Sequence, residues 1–318
     1  MSVNAIVLAI LAFAFAWSMG AHYTGACMGM PHAMGSIRLW PALATMAAFV
    51  IIGASFLSHR VLATVGHHLI GTNDLRINAA SAIIATAFIL TTLYNRLKIP
   101  TSTIQILVFS LIGAAIALHI KVEWTTIARL VVVWIVAPFA ALALGFIFTH
   151  VLDRVALLRR QAHAVGRLLV VAGWLASLTM GANDVSNATA VFLTTHLSGA
   201  LIAGVVGGFG LALGVLTWGK PLLRRVAFEI VKLDLQMASA AQLVQGLVVL
   251  SAVVGLGAFT SMNQALVGAM AGAGLARGRE TVQWPTLKAI LRGWVVGPAS
   301  GFLLAFLMAL LLNAFRLA

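Results

Sequence analysis

Trp124, Trp134 and Pro138 each meet an identical residue 160 positions later, at Trp284, Trp294 and Pro298. Three coincidences of rare residue types at one offset are not chance, so the second half of this chain repeats the first. Neighbouring offsets carry further matches. At 161, Gly20-Ala21 falls on Gly181-Ala182 and Gly53 on Gly214; at 159, Thr101-Ser102 falls on Thr260-Ser261, Gln105 on Gln264 and Gly113 on Gly272. Asp74-Leu75 and Asp234-Leu235 also match, at 160. The fold must therefore consist of two similar units related by an axis.

Both units belong in a membrane. Only 8% of the 318 residues are charged and 62% are hydrophobic, with a mean hydropathy of +1.05, whereas about a quarter of the residues in a soluble domain carry charge. Spans of about 20 apolar residues are expected at 3–20, 40–57, 78–95, 103–119 and 125–149, then at 168–182, 199–217, 237–255, 262–276 and 287–313. The fold class is all-α, polytopic, with residues 1–150 and 168–318 as two transmembrane repeats. Between them, 151–167 is the most basic connector and is expected in the cytoplasm. Five spans per half make the second half enter from the opposite side, giving an inverted repeat with broken or re-entrant helices. An even count would make the repeats parallel instead.

The net charge of +13 lies mostly in connectors between apolar runs, which is a topogenic pattern; anionic lipid suffices as its partner and nucleic acid is not called for. The start of the chain shows no basic region or cleavage pattern, and the apolar run Ala5 to Trp17 is expected to be the first span. Cys27 is the one cysteine, so no internal disulfide can form and packing is its expected role.

Four polar islands interrupt the spans, two per half. Gly20-Ala21-His22-Tyr23-Thr24-Gly25 pairs with Gly181-Ala182-Asn183-Asp184-Val185-Ser186, which runs on to Asn187. An ionisable group at membrane depth points to an ion or substrate pathway, and the glycines are expected to let the helix unwind there, although a helix-packing glycine is the competing reading and the favoured one for Gly20. The other pair is Pro100-Thr101-Ser102-Thr103-Ile104-Gln105 and Phe259-Thr260-Ser261-Met262-Asn263-Gln264. Each looks like a helix start, where free N–H groups, hydroxyls and the dipole would bind an anion. Asp74 and Asp234 sit beside Arg76 and Lys232 and are expected to pair at the interface.

These residues resemble the PiT inorganic phosphate transporter family. Gly181-Ala182-Asn183-Asp184-Val185-Ser186-Asn187-Ala188 is similar to its Gly-Ala-Asn-Asp-Val-Ala-Asn-Ala signature with one Ala-to-Ser change. Thr260-Ser261, with the glycine-rich run from Gly268, resembles its Pro-Val-Ser-Thr-Thr-His segment; Pro100 to Thr103 resembles the first-half copy, and Trp284 to Pro298 its last span. The resemblance implies a central oxyanion site lined by Thr101, Ser102, Thr103, Thr260 and Ser261, with Asn183, Asp184 and Asn187 from the signature and cations beside it. Two departures stand out: His22-Tyr23 replaces Asn-Asp in the first signature, and Asn263-Gln264 replaces the family's histidine. The degenerate first half is similar to the sulfate permease branch, which the resemblance makes proton-linked.

The expected function is secondary transport of a small oxyanion, phosphate first, coupled to sodium or protons by alternating access. A proton-linked sulfate permease is the alternative, and an anion channel is the alternative from another class. Gln105, Gln264, Asn263, Asn183 and Asn187 join the hydroxyls as substrate ligands; Asp184 with Asn183 holds the coupling cation, a sodium ion or a proton; His22 is a second proton-linked candidate. No nucleophile–base pair or metal-ligand cluster suggests an enzyme, and no cofactor is expected. The expected setting is a bacterial inner membrane, multi-pass, with a homo-oligomer left open.

Overall fold

The computed structural model describes residues 2–67, 69, 76–97, 101–155, 162–223, 231 and 233–315. Among them there are helices and no strand, only an isolated antiparallel bridge between Val231 and Val282. Helix α1 is Val3–Thr24, carried by a π-turn at Gly25–Gly29 into Met30–Ala33; α2 is Leu39–Phe56, α3 His59–His67, α4 Ile77–Leu97, α5 Thr103–Ala117 and α6 Trp124–Arg154. In the second half α7 is Ala162–Thr189, continued by Val191–Thr194; α8 is Ala200–Leu223, α9 Leu235–Leu250 with a π-turn at Ser251–Leu256, α10 Met262–Arg277 and α11 Trp284–Ala314. The order repeats: α1, α2, α4, α5 and α6 correspond to α7, α8, α9, α10 and α11. No counterpart of α3 lies among the described residues.

Eight of these helices are long and apolar enough to cross a membrane, but not all of them cross. Arg277, the last residue of α10, bonds to Asp234, the N-cap of α9, at 2.9 Å, and to Asp153 near the end of α6 at 2.7 Å. The α9–α10 pair therefore goes in and returns on one side. In the first half, the Glu123 N–H just before α6 donates to the Leu69 carbonyl ahead of α4 at 3.1 Å, so the α4–α5 pair also ends on the side where it began. Each half makes three crossings, in α1, α2 and α6 or in α7, α8 and α11, and dips once as a re-entrant hairpin. The expected five crossings are thus corrected to three, because α5 and α10, with 15 and 16 residues, fall short of a span, and α4 and α9 are the other arms of the hairpins that these short helices close. Three is still odd, and the halves remain inverted. Asp234 takes Arg277 as its partner; Lys232, Asp74 and Pro100 lie outside the described residues, as does the middle of the 151–167 connector.

The matched glycines are explained by packing. A β-carbon on Gly20 would overlap the Leu211 carbonyl oxygen and one on Gly214 that of Trp17, at the crossing of α1 with α8. Gly181 against Val50 and Gly53 against Leu178 repeat the contact where α7 crosses α2. Each half thus lays its first helix against the second helix of the other. The expected unwinding at the signatures does not occur: α1 stays helical through Thr24 and α7 through Thr189. Close approach repays the roughly 1 kcal/mol that glycine costs a helix, and an intact helix satisfies its own backbone at membrane depth. The breaks fall instead at the hairpin tips.

Candidate functional site

Gln105 and Gln264, one in the first turn of α5 and one in that of α10, donate Nε2 to each other's Oε1 at 3.4 and 3.3 Å. A residue that touches its own repeat mate lies on the axis between the halves. The axis therefore runs between the two hairpin tips. Ser102 and Ser261 cap the helices there: their hydroxyl oxygens accept from the N–H groups of Gln105 and Gln264 at 3.4 and 3.3 Å. Capping uses the oxygen and leaves each hydroxyl hydrogen free to donate. Two helix N-termini, with their unpaired N–H groups and positive dipole ends, thus meet in the protein interior. Thr101, Thr103, Thr260 and Asn263 flank them, all buried.

The signature helices brace these tips in matching ways. Asn183 Nδ2 donates to the Thr260 carbonyl at 2.8 Å, and its Oδ1 accepts the Thr260 N–H at 3.0 Å. In the first half His22, the mate of Asn183, stands with Nε2 at 3.3 Å from the carbonyl of Thr101, the mate of Thr260. Asn263 crosses between the halves, donating Nδ2 to the Thr101 carbonyl at 2.9 Å and meeting His22 Nε2 at 3.1 Å. On the other side of the ring Nδ1 bonds to Asn95 Oδ1, and Asn95 Nδ2 donates to the Ser18 carbonyl at 3.1 Å.

A second cluster adjoins this one. The hydroxyls of Tyr23 and Thr103 bond at 2.8 Å, and Asn187 Nδ2 reaches Asp184 Oδ1 at 3.4 Å and Thr103 Oγ1 at 3.5 Å. Tyr23, the mate of Asp184, neighbours its carboxyl. Asp184 Oδ2, Asn187 Oδ1 and Thr101 Oγ1 are buried without a hydrogen-bond partner. A carboxylate oxygen and a carboxamide oxygen left without donors, with no Lys or Arg in either cluster, form a donor set for a hard cation or a proton.

Every residue singled out in the sequence as a ligand falls in these two joined clusters. Sequence reasoning missed Asn95, a single carboxamide that meets only Val254, Gly255 or Leu256 at the three offsets, and saw Tyr23 only as a lost charge. It also missed Gln242 and Gln245 on α9. Gln242 donates to the Ala26 carbonyl in the π-turn of α1 at 3.0 Å and to Gln245 at 2.6 Å, and Gln245 donates to the Met262 carbonyl at 3.4 Å. Polar residues without a partner half carry no repeat signal, and only the packed structure reveals their neighbours.

A model of the phosphate transporter family matches residues 19–305. Among similar proteins, a putative phosphate permease of Methanocaldococcus jannaschii is 26% identical over 94% of this chain and 95% of its own length. The sulfate permease CysP of Bacillus subtilis is 24% identical over 92% of this chain and 84% of its own. The solved structure of a sodium-dependent phosphate transporter superposes with a TM-score of 0.91, covering 98% of this chain and all of that one at 18% identity. That likeness shows the same fold.

Proposed function

The chain belongs to the phosphate transporter family, and from that premise we propose that it is a cation-coupled secondary transporter of inorganic phosphate, working by alternating access about the axis between its halves. Residues 1–150 and 168–318 are the two repeats, and 151–167 is the cytoplasmic connector, placed there by its basic residues. The observation that carries the reading is the meeting of the two Ser-capped hairpin tips at the Gln105–Gln264 pair. The oxyanion binds between them, taking hydrogens from Ser102, Ser261, Thr101 and Thr260, from the glutamine amides and from the N–H groups of the helix starts. Such donors hold a tetrahedral anion without a fixed ion pair, and so allow release. Asn183 and Asn263 set the backbone of the tips.

A dianion entering this interior needs positive charge, and neither cluster contains Lys or Arg. Asp184 and Asn187 supply it by binding the coupling cation through the two oxygens that lack donors, with Thr103 alongside. Sodium is the first candidate because the structural relative is described as sodium-dependent; a proton on Asp184 is the second. The site moves its substrate and makes no bond in it. Sulfate is the second reading for the substrate, favoured by the relation to the sulfate permease of Bacillus subtilis and by the missing first carboxylate at Tyr23.

Counterflow of labelled phosphate in proteoliposomes tests this directly. Trans-acceleration by unlabelled phosphate, stronger than by sulfate or bicarbonate, is the expected result. Flux that shows neither saturation nor counterflow would mean a channel, and stronger counterflow by sulfate would replace the substrate.

A further inference from the structure

Hydrogen-bond geometry around His22 admits one neutral arrangement. Asn95 Nδ2 faces the Ser18 carbonyl, which can only accept, so Asn95 presents Oδ1 to the ring and the imidazole carries its hydrogen on Nδ1. Asn263 is fixed in the same way, with Nδ2 toward the Thr101 carbonyl and its other hydrogen toward Nε2. Every contact but one is then satisfied: Nε2 and the Thr101 carbonyl, 3.3 Å apart, are both acceptors. A second proton would have to sit on Nε2, where it points at the Asn263 N–H. Two donors cannot face each other at 3.1 Å. Relief comes if Asn263 turns its amide round and lets go of Thr101, whose carbonyl lies 3.3 Å from Nε2 and can take that hydrogen instead.

A proton on Nε2 would thus move the anchor of Thr101 from α10 in the second half to α1 in the first. It would also place an imidazolium beside the Thr101 hydroxyl, which has no partner. Few groups offset that charge. On α1 itself, Tyr23 lies edge-to-face at 5.0 Å, and Asp184 of α7 lies beyond it. From α4 comes Asn95, and from the tips of α5 and α10 come Thr101 to Gln105 and Asn263 to Gln264, none of them ionisable. The buried residues of α8, which packs along α1, include no ionisable group. An anion bound at the tips is therefore the natural counter-charge, and by linkage proton and anion each favour the binding of the other.

Resting on the oxyanion site proposed above, we infer that His22 takes up a proton when phosphate binds, that Asn95 is the positioning residue that reserves Nε2 for that proton, and that Asn263 is the amide that turns to admit it. The repeat itself supplies the test variant. Asparagine already occupies the equivalent position at 183, so H22N keeps a side chain that fits this place.

Calorimetry of phosphate binding to the purified full-length protein, in buffers of different ionisation enthalpy, counts protons taken up per phosphate bound, whatever the affinity. The titration of phosphate itself contributes equally to every variant. Wild type should take up more protons than H22N, by up to about one per phosphate. N95A lets the imidazole carry its single hydrogen on Nε2 and bond Thr101 without net uptake, so its count should fall toward that of H22N, and N95Q should restore part of the difference. Equal counts in wild type and H22N overturn the inference. If H22N binds no phosphate, equal counts in wild type and N95A overturn it. A wild-type protein that binds no phosphate at all overturns the transport reading on which it rests.

Discussion

The two signature stretches occupy equivalent places and differ in their chemistry. Gly181-Ala182-Asn183-Asp184 sets a glycine against α2, a carboxamide against Thr260 and a carboxylate into the interior. Gly20-Ala21-His22-Tyr23 sets a glycine against α8, an imidazole against Thr101 and a phenol beside that same carboxylate. Packing and bracing are duplicated; the charge is not. A chain that keeps both braces but one carboxylate keeps the geometry of two equivalent helix starts while holding its one buried carboxylate in the second half.

The largest effect expected from this comparison is on folding. Gly20→Val and Gly181→Val each drive a side chain into a neighbouring backbone, and both should lower stability by about 4 kcal/mol or more, read as lost thermal stability of the purified protein. If one half tolerated the change, the packing would not be symmetric. Next comes Asp184→Asn, which mimics a permanently protonated carboxyl. It should abolish gradient-driven accumulation in proteoliposomes while leaving some phosphate exchange; a variant that still accumulated phosphate with full dependence on the sodium or proton gradient would move coupling to another group. Tyr23→Phe, at the mate position, should impair accumulation much less than Asp184→Asn, and an equal loss would break the claimed asymmetry.

Smaller effects fall on the duplicated part. Ser102→Ala and Ser261→Ala should each weaken phosphate binding by about 1.5–3 kcal/mol, the range for one hydrogen bond to a charged group, and by similar amounts in the two halves. Wild-type affinity in both variants would remove the hydroxyls from the site. Smallest is the loss of stability in Tyr23→Phe, about 0.5–1.5 kcal/mol for its bond to Thr103, seen as a slight fall in melting temperature.

The repeat, the inverted arrangement and nearly all the clustered residues were legible because each leaves a mark along the chain. A matched offset ties Gln105 to Gln264, and polar residues stand out in apolar runs. The hairpins did not stand out, since α4, and α9 together with its π-turn, are long and apolar enough to cross. Their return is visible only in contacts between residues far apart in sequence, Glu123 with Leu69 in the first half and Arg277 with Asp234 in the second. Gly181 was misread as an unwinding point because the sequence does not show that Val50 lies against it. Asn95 went unseen for a related reason: its partners, Ser18 and His22, are on another helix.

The central claim is that both hairpin tips hold one oxyanion on the axis between the halves. The most direct measurement is an anomalous-scattering map from crystals grown with arsenate. A single arsenic peak on the axis is predicted, with arsenate oxygens within about 3 Å of the hydroxyls of both Ser102 and Ser261. A peak at one tip alone, or separate peaks at the two tips, would contradict it.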